Sequence, residues 1–197
     1  MNYSKLLEAS ENFYHNNVPS TREEISYFAH VDGVRKYALI LADENSADKQ
    51  VVEIAALLHD VGADVGKVHA AKSAEMAEEF LTDLGVDVLL KGKIILAIRN
   101  HSMSQDGEDF ADEVSVEEAV IRDADAISFF ENGYQMYLKK GLKMHGTLEN
   151  AKRESILKIE GMAKKITTKK GIEIANRYRI AASRYIENYQ ENGESHG

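Results

Sequence analysis

Several histidines and aspartates of this chain fall where polar side chains are least expected. His30 lies in Phe28-Ala29-His30-Val31-x-x-Val34-x-x-Tyr37-Ala38-x-x-Leu41, and its spacing from Val34, Tyr37, Ala38 and Leu41 puts it on the apolar stripe of a helix. His59-Asp60 ends the run Val51-Val52-Glu53-Ile54-Ala55-Ala56-Leu57-Leu58, which is apolar on nearly every side and reads as a buried helix. Gly62 follows, where a helix C-terminus favours a residue able to take positive φ. His101 closes another apolar helix, and Asp123 and Asp125 stand in Ala119-Val120-Ile121-Arg122-Asp123-Ala124-Asp125-Ala126-Ile127. A buried carboxylate is costly until a partner charge, hydrogen bonds or a metal relieve it.

Two imidazoles and two carboxylates gathered in a core form a mixed nitrogen and oxygen donor set. Such a set suits manganese, iron, cobalt, nickel or zinc better than magnesium, and leaves coordination positions open. Metal-assisted hydrolysis is the chemistry it would support. At about 100° per residue, Asp123 and Asp125 point to nearly opposite sides of their helix, so at most one reaches the site. Asp123 follows the Val116, Val120 and Ile127 row, Asp125 the Ile121 and Phe129 row, and periodicity does not choose between them. A plainer reading stands beside this one. A single histidine on an apolar face is usually hydrogen-bonded in a core, and a His-Asp pair can cap a helix end.

The elements that must position these residues are helical. Tyr3 to His15 reads as a first helix, and Pro19 with Ser20-Thr21-x-x-Glu24 reads as a break followed by a capping box. Polar Asp43 to Asp48 forms a turn before the central helix. Asp64 to Ala70 reads as a loop, with helices over about 72–84 and 88–101 after it. Ser102 to Glu113 is acidic and loop-like, and Ser115 opens a helix through Phe130. Gly133 to Gly146 reads as a short helix plus a mobile loop, and residues 147–166 and 171–189 as two more helices. Ile174, Tyr178, Ala181, Ala182, Tyr185 and Tyr189 form a stripe that is core or a subunit contact, so a homodimer stays open. The domain boundaries expected are an N-terminal helix and capping segment (1–24), a core with the metal site (25–130), C-terminal helices completing the same domain (131–190) and a frayed tail (191–197).

Composition agrees. The chain has 197 residues, enough for one domain with a sizeable core, with a single proline and long stretches rich in Ala, Leu, Glu and Lys. The absence of cysteine excludes disulfides, Cys-ligated zinc and thiol nucleophiles, and fits a cytoplasmic location. No window approaches ~18 consecutive apolar residues and no signal segment opens the chain, so neither a membrane span nor export is expected. A net charge of −9 argues against binding a nucleic acid polymer, while a small phosphate ester needs only one local basic pocket.

The ordered set His30, His59-Asp60 and Asp125, with its local contexts, resembles the HD superfamily of metal-dependent phosphohydrolases. Lys67, His69 and Ser73-Ala74-Glu75 look like that family's stretch after the His-Asp pair, and Ile98-Arg99-Asn100-His101-Ser102 like its later histidine. The resemblance spans roughly residues 25 to 130. It implies an all-α, single-domain HD-like bundle with metal ligation by His30, His59, Asp60 and Asp125. One ion is expected, and two where histidines such as His69 and His101 join the coordination. The substrate implied is a nucleotide or other small phosphate ester. Lys67 and Arg99 would neutralise developing negative charge, and His69 or His101 would handle a proton. Three rivals stand: a di-iron oxygenase on the same scaffold, a metal-stabilised signalling or binding module, and a plain helical scaffold.

Overall fold

Short polar residues start most of the helices. Asn2, Asp48, Asp87, Ser115, Thr147 and Thr168 each accept a backbone N–H from the first turn they precede, and Ser115 forms a full capping box with Glu118. In this computed structural model, which describes residues 2–20, 22–102 and 114–190 without the side chains of Lys67 and His145, the order is as follows. Helices α1 (Tyr3–Asn16), α2 (Glu24–Asn45) and α3 (Lys49–Leu58) precede a 3-10 turn (Ala63–Val68). Helices α4 (His69–Asp83), α5 (Val88–Arg99) and α6 (Val116–Ser128) come next. A π-helical turn (Phe129–Gly133) then leads directly into α7 (Tyr134–His145), followed by α8 (Leu148–Lys165) and α9 (Lys169–Asn188). Among the described residues there is no strand, and the chain forms one all-α domain. No helix among them is long and apolar enough to cross a membrane.

The core is built around α3, whose residues Val51 to Leu58 are all buried. Full burial of a leucine such as Leu57 or Leu58 contributes about 2–3 kcal/mol. Helix α3 packs between α2, α5 and α1, while α2 packs along α6, and α4 lies on α5. The C-terminal helices pack as α7 on α8 and α8 on α9, with α9 also reaching α6 and the π turn. The one carboxylate inside the α3 run, Glu53, accepts from the Tyr3 hydroxyl and pairs with Arg35 Nη2 at 2.6 Å. Arg35 also holds Glu11 at 2.8 Å, which ties α1 to the core.

Several expectations are corrected. Gly62 has φ −99°, so it is not a left-handed helix end. Its need is for space, because a Cβ there would stand 2.7 Å from the Ser73 backbone nitrogen where α4 packs against the end of α3. No capping box opens α2, whose N-cap is Glu23 without a side-chain bond. Thr21 lies outside the described residues, and Ser20 donates from its backbone and hydroxyl to Asp64 instead. The loop expected at 64–70 is the 3-10 turn running into α4, and the mobile loop expected within 133–146 is α7. Its Gly141 sits against Ala151 of α8, so the glycine serves helix packing. On α9 the buried residues are Gly171, Ala175, Ala182 and Ile186, while Ala181 and Tyr185 are exposed. Of the loop expected at 102–113, residues 103–113 lie outside the described residues, as does the tail at 191–197.

Candidate metal centre

Five elements bring their polar residues to one point. His30 comes from the middle of α2, His59 and Asp60 from the end of α3, and His69 from the start of α4. His101 follows the end of α5, and Asp125 stands on α6. His59, Asp60 and His101 are buried, and His30, His69 and Asp125 are half-buried. Asp60 lies at the middle. Its Oδ2 stands 3.7 Å from His30 Nε2 and 3.9 Å from His59 Nε2. Its Oδ1 stands 3.7 Å from His69 Nε2 and 3.9 Å from His101 Nε2. Asp125 Oδ1 lies 3.4 Å from His30 Nε2.

The second nitrogen of each ring fixes how these imidazoles face. His59 Nδ1 lies 2.7 Å from the Ala56 carbonyl, His69 Nδ1 2.9 Å from that of Gly66, and His101 Nδ1 2.6 Å from that of Ile98. A carbonyl only accepts, so each Nδ1 carries the proton and donates to the residue three positions back. Ser128 Oγ donates to the His30 carbonyl at 3.0 Å and so accepts from His30 Nδ1–H at 3.3 Å. All four rings therefore turn Nε2 inward. His30 Nε2 lies 3.2 Å from His59 Nε2, and His69 Nε2 3.2 Å from His101 Nε2. At this distance each pair of facing nitrogens needs a shared proton or a cation between or beside them.

The electrostatics agree. Burial pushes the His59 imidazole below its usual range, and burial with the neighbouring His59 pushes His101 down to about 4. Burial alone would raise the Asp60 and Asp125 carboxyls, but the surrounding imidazoles outweigh it and hold both well below the usual range. Arg22 adds to this at Asp60. His30, His59 and Asp60 form one group whose ligand atoms lie within 4.8 Å of one another, and Asp60, His69 and His101 form another. Imidazoles anchored through Nδ1 with Nε2 turned inward, beside two carboxylates held ionised, are what a divalent transition metal requires.

The remaining residues singled out in the sequence fall elsewhere. Asp123 is buried on the other side of α6 and accepts from the Thr167 N–H at 3.0 Å and the Thr168 N–H at 2.8 Å. Arg99 is a correction: it is exposed and does not line the cavity, because α5 turns Ile94, Ile95, Ala97 and Ile98 inward. The Lys67 side chain lies outside the described residues. Sequence reasoning missed Arg22, whose Nη2 stands 3.1 Å from Asp60 Oδ2, and Ser128, which orients His30. It also missed Lys140, Lys158 and Lys165, which line a cavity of about 710 Å³ together with His30, Asp60 and Asp125. Their only signal was a spacing that put them on one face of α7 or α8.

Residues 27–129 match the HD domain family. No curated protein matches the chain. Three solved structures share its fold along almost its whole length. YpgQ of Bacillus subtilis is 19% identical, with 95% of each chain covered and a TM-score of 0.72. An HD-superfamily hydrolase of Bacillus thuringiensis is 19% identical, covering 94% of this chain and 95% of its own, with a TM-score of 0.71. A predicted HD superfamily hydrolase from an uncultured Thermotogales bacterium is 19% identical, covering 95% of this chain and 96% of its own, with a TM-score of 0.62. The matched segment opens at Tyr27, three residues before His30, closes at Phe129, four after Asp125, and holds every histidine and aspartate of the centre. By that match the chain belongs to the HD domain family.

Proposed function

We propose that the protein is a metal-dependent phosphohydrolase acting on a nucleotide or another small phosphate ester. The observation that carries this reading is the convergence of four Nε2 atoms on the two oxygens of Asp60. His30, His59, Asp60 and Asp125 would hold one divalent cation. Asp60, His69 and His101 would hold a second, which makes two adjacent positions a better reading of the geometry than the single one expected. Imidazole donors favour manganese, iron, cobalt, nickel or zinc over magnesium. What such a cation supplies is a water of lowered pKa and a polarised phosphoryl oxygen.

The chain's own residues do the rest. His59 and His101 are held rigidly by their Nδ1–H bonds, so the donors do not have to reorganise. The Arg22 guanidinium lies at the cavity wall, where it neutralises charge on a bound phosphate, the role first expected of Lys67 and Arg99. With a single cation bound, His69 is the half-buried imidazole that takes or gives a proton at Nε2. The same second trio is what a di-iron oxygenase on this scaffold would need. The cations in the cavity wall favour an anionic ester instead.

The test is metal analysis of the purified chain with a screen of nucleoside mono-, di- and triphosphates in manganese. Bound transition metal lost on His59→Ala, with chelator-sensitive phosphate release, is expected. An intact metal site with no turnover of any phosphate ester would show a binding module. Dioxygen consumption with an organic substrate would show the oxygenase.

A further inference from the structure

Helices α7 and α8 lie beyond the residues that match the family, yet they form one wall of the cavity over the metal centre. On α8, Lys158, Met162 and Lys165 stand at i, i+4 and i+7, so they share a face. Lys140 of α7 reaches the same cavity. What sets these three lysines apart is that they line one cavity, where among the described residues none of them pairs with a carboxylate and Lys158 Nζ lies 5.9 Å from the centroid of the Phe129 ring. Lys165 is half-buried, and burial draws its ammonium below the ordinary value; Asp125 opposes that shift and Lys158 adds to it. Three ammonium groups lining one cavity, with Lys158 close enough to act on Lys165, suit an anion between them even in a protein of net charge −9.

We propose that Lys140, Lys158 and Lys165 form a second anion subsite that holds the outer phosphoryl groups of a substrate carrying a phosphate chain. This rests on the phosphohydrolase reading for its inner end: one phosphoryl group faces Asp60 and the histidines while the rest of the chain runs toward α7 and α8. A molecule with one phosphate fills only half of this arrangement. The enzyme therefore selects nucleoside triphosphates, or other oligophosphates, over monoesters.

The experiment is calorimetric titration of the full chain, as purified, with inorganic tripolyphosphate and with inorganic phosphate. Tripolyphosphate is expected to bind at least about tenfold more tightly, and Lys158→Met with Lys165→Met to remove at least about tenfold of that affinity. Equal affinity for the two anions, or an unchanged tripolyphosphate affinity in the folded double variant, overturns the subsite. Should the double variant not fold, Lys140→Ala at an exposed position serves alone, with a loss of about threefold expected and no loss overturning the proposal. In the manganese-loaded enzyme the ratio of kcat/KM for deoxyadenosine triphosphate over the monophosphate should fall at least about tenfold in the double variant. The titration needs no turnover, so an inactive enzyme refutes the hydrolase reading alone, and an unselective titration refutes the subsite alone.

Discussion

Arg22 Nη2 lies 3.1 Å from Asp60 Oδ2, the same carboxylate oxygen that His30 and His59 face. A guanidinium and a divalent cation at this centre would therefore contend for one oxygen. Removing it should help the cation and harm the chemistry. Arg22→Ala is expected to bind manganese about tenfold more tightly by titration, because a nearby positive charge is gone. Turnover should fall by at least about tenfold, because a phosphate has lost its closest arginine. Weaker manganese binding in this variant would show that Arg22 supports Asp60 instead.

The two aspartates of α6 should separate cleanly. Asp125→Asn should weaken cation binding by about 100-fold while leaving the chain folded, since its carboxylate faces His30 at 3.4 Å and, among the described residues, bonds no backbone amide. Asp123→Ala should retain the cation and lose about 2–3 kcal/mol in urea denaturation. The Thr167 and Thr168 N–H groups then lose their shared acceptor. Loss of the ion from Asp123→Ala, with retention in Asp125→Asn, would reverse the assignment.

In the proposed centre Ser128 would act on the cation through His30. With Ser128→Ala the His30 Nδ1–H has no acceptor and the ring is no longer held. A loss of 10- to 100-fold in cation affinity, with little change in fold, is the usual scale for such a partner. Gly33 makes the contact possible, because a Cβ there would overlap Ser128 Oγ. Gly33→Ala should therefore reproduce the defect and add a loss of stability. Unaltered metal content in both variants would refute the link.

Acid should destabilise the metal-free protein before its carboxylates protonate. Between about pH 6.5 and 4 the unfolded chain binds a proton at His101 that the folded chain refuses. The unfolded state then carries more protons, so stability falls as pH drops through that window, by roughly 3 kcal/mol from His101 alone. His59 acts in the same direction. Asp60 and Asp125 have depressed folded values, so their contribution is complete above the usual carboxylate range and is lost only at lower pH. Urea denaturation across this range should show the fall, and His101→Gln should flatten it. A stability that rises on acidification would mean that the imidazoles are charged in the fold.

The fold and the centre were legible to different depths. His30 and His59-Asp60 could be read because a polar residue on a sustained apolar stripe stands out. The choice within Arg122-Asp123-Ala124-Asp125 could not be made from periodicity, since both rows of that helix are apolar and both aspartates are relieved, one by backbone amides and one beside His30. Gly133, Gly141 and Gly146 made α7 look like a loop. Yet Gly133 sits in the π turn and Gly141 against Ala151, where small size serves packing. The lysines were invisible for a related reason. A lysine at i, i+4 or i+7 looks the same on a solvent face and on a cavity wall, and only the position of α7 and α8 over the centre distinguishes them. Arg22 lies in a short connection with no periodicity to give it a side.

Arg122 and Asp123 both grip the connection between α8 and α9, the first through the Thr167 hydroxyl at 3.0 Å and the second through two amides. Asp125 follows within the same turn. The segment that carries Asp125 is thus yoked to the helices that carry the lysine wall. A shortened chain ending at residue 129 would keep every histidine and aspartate of the centre. It would leave the inward aspartate on a helix with nothing bracing its outer side.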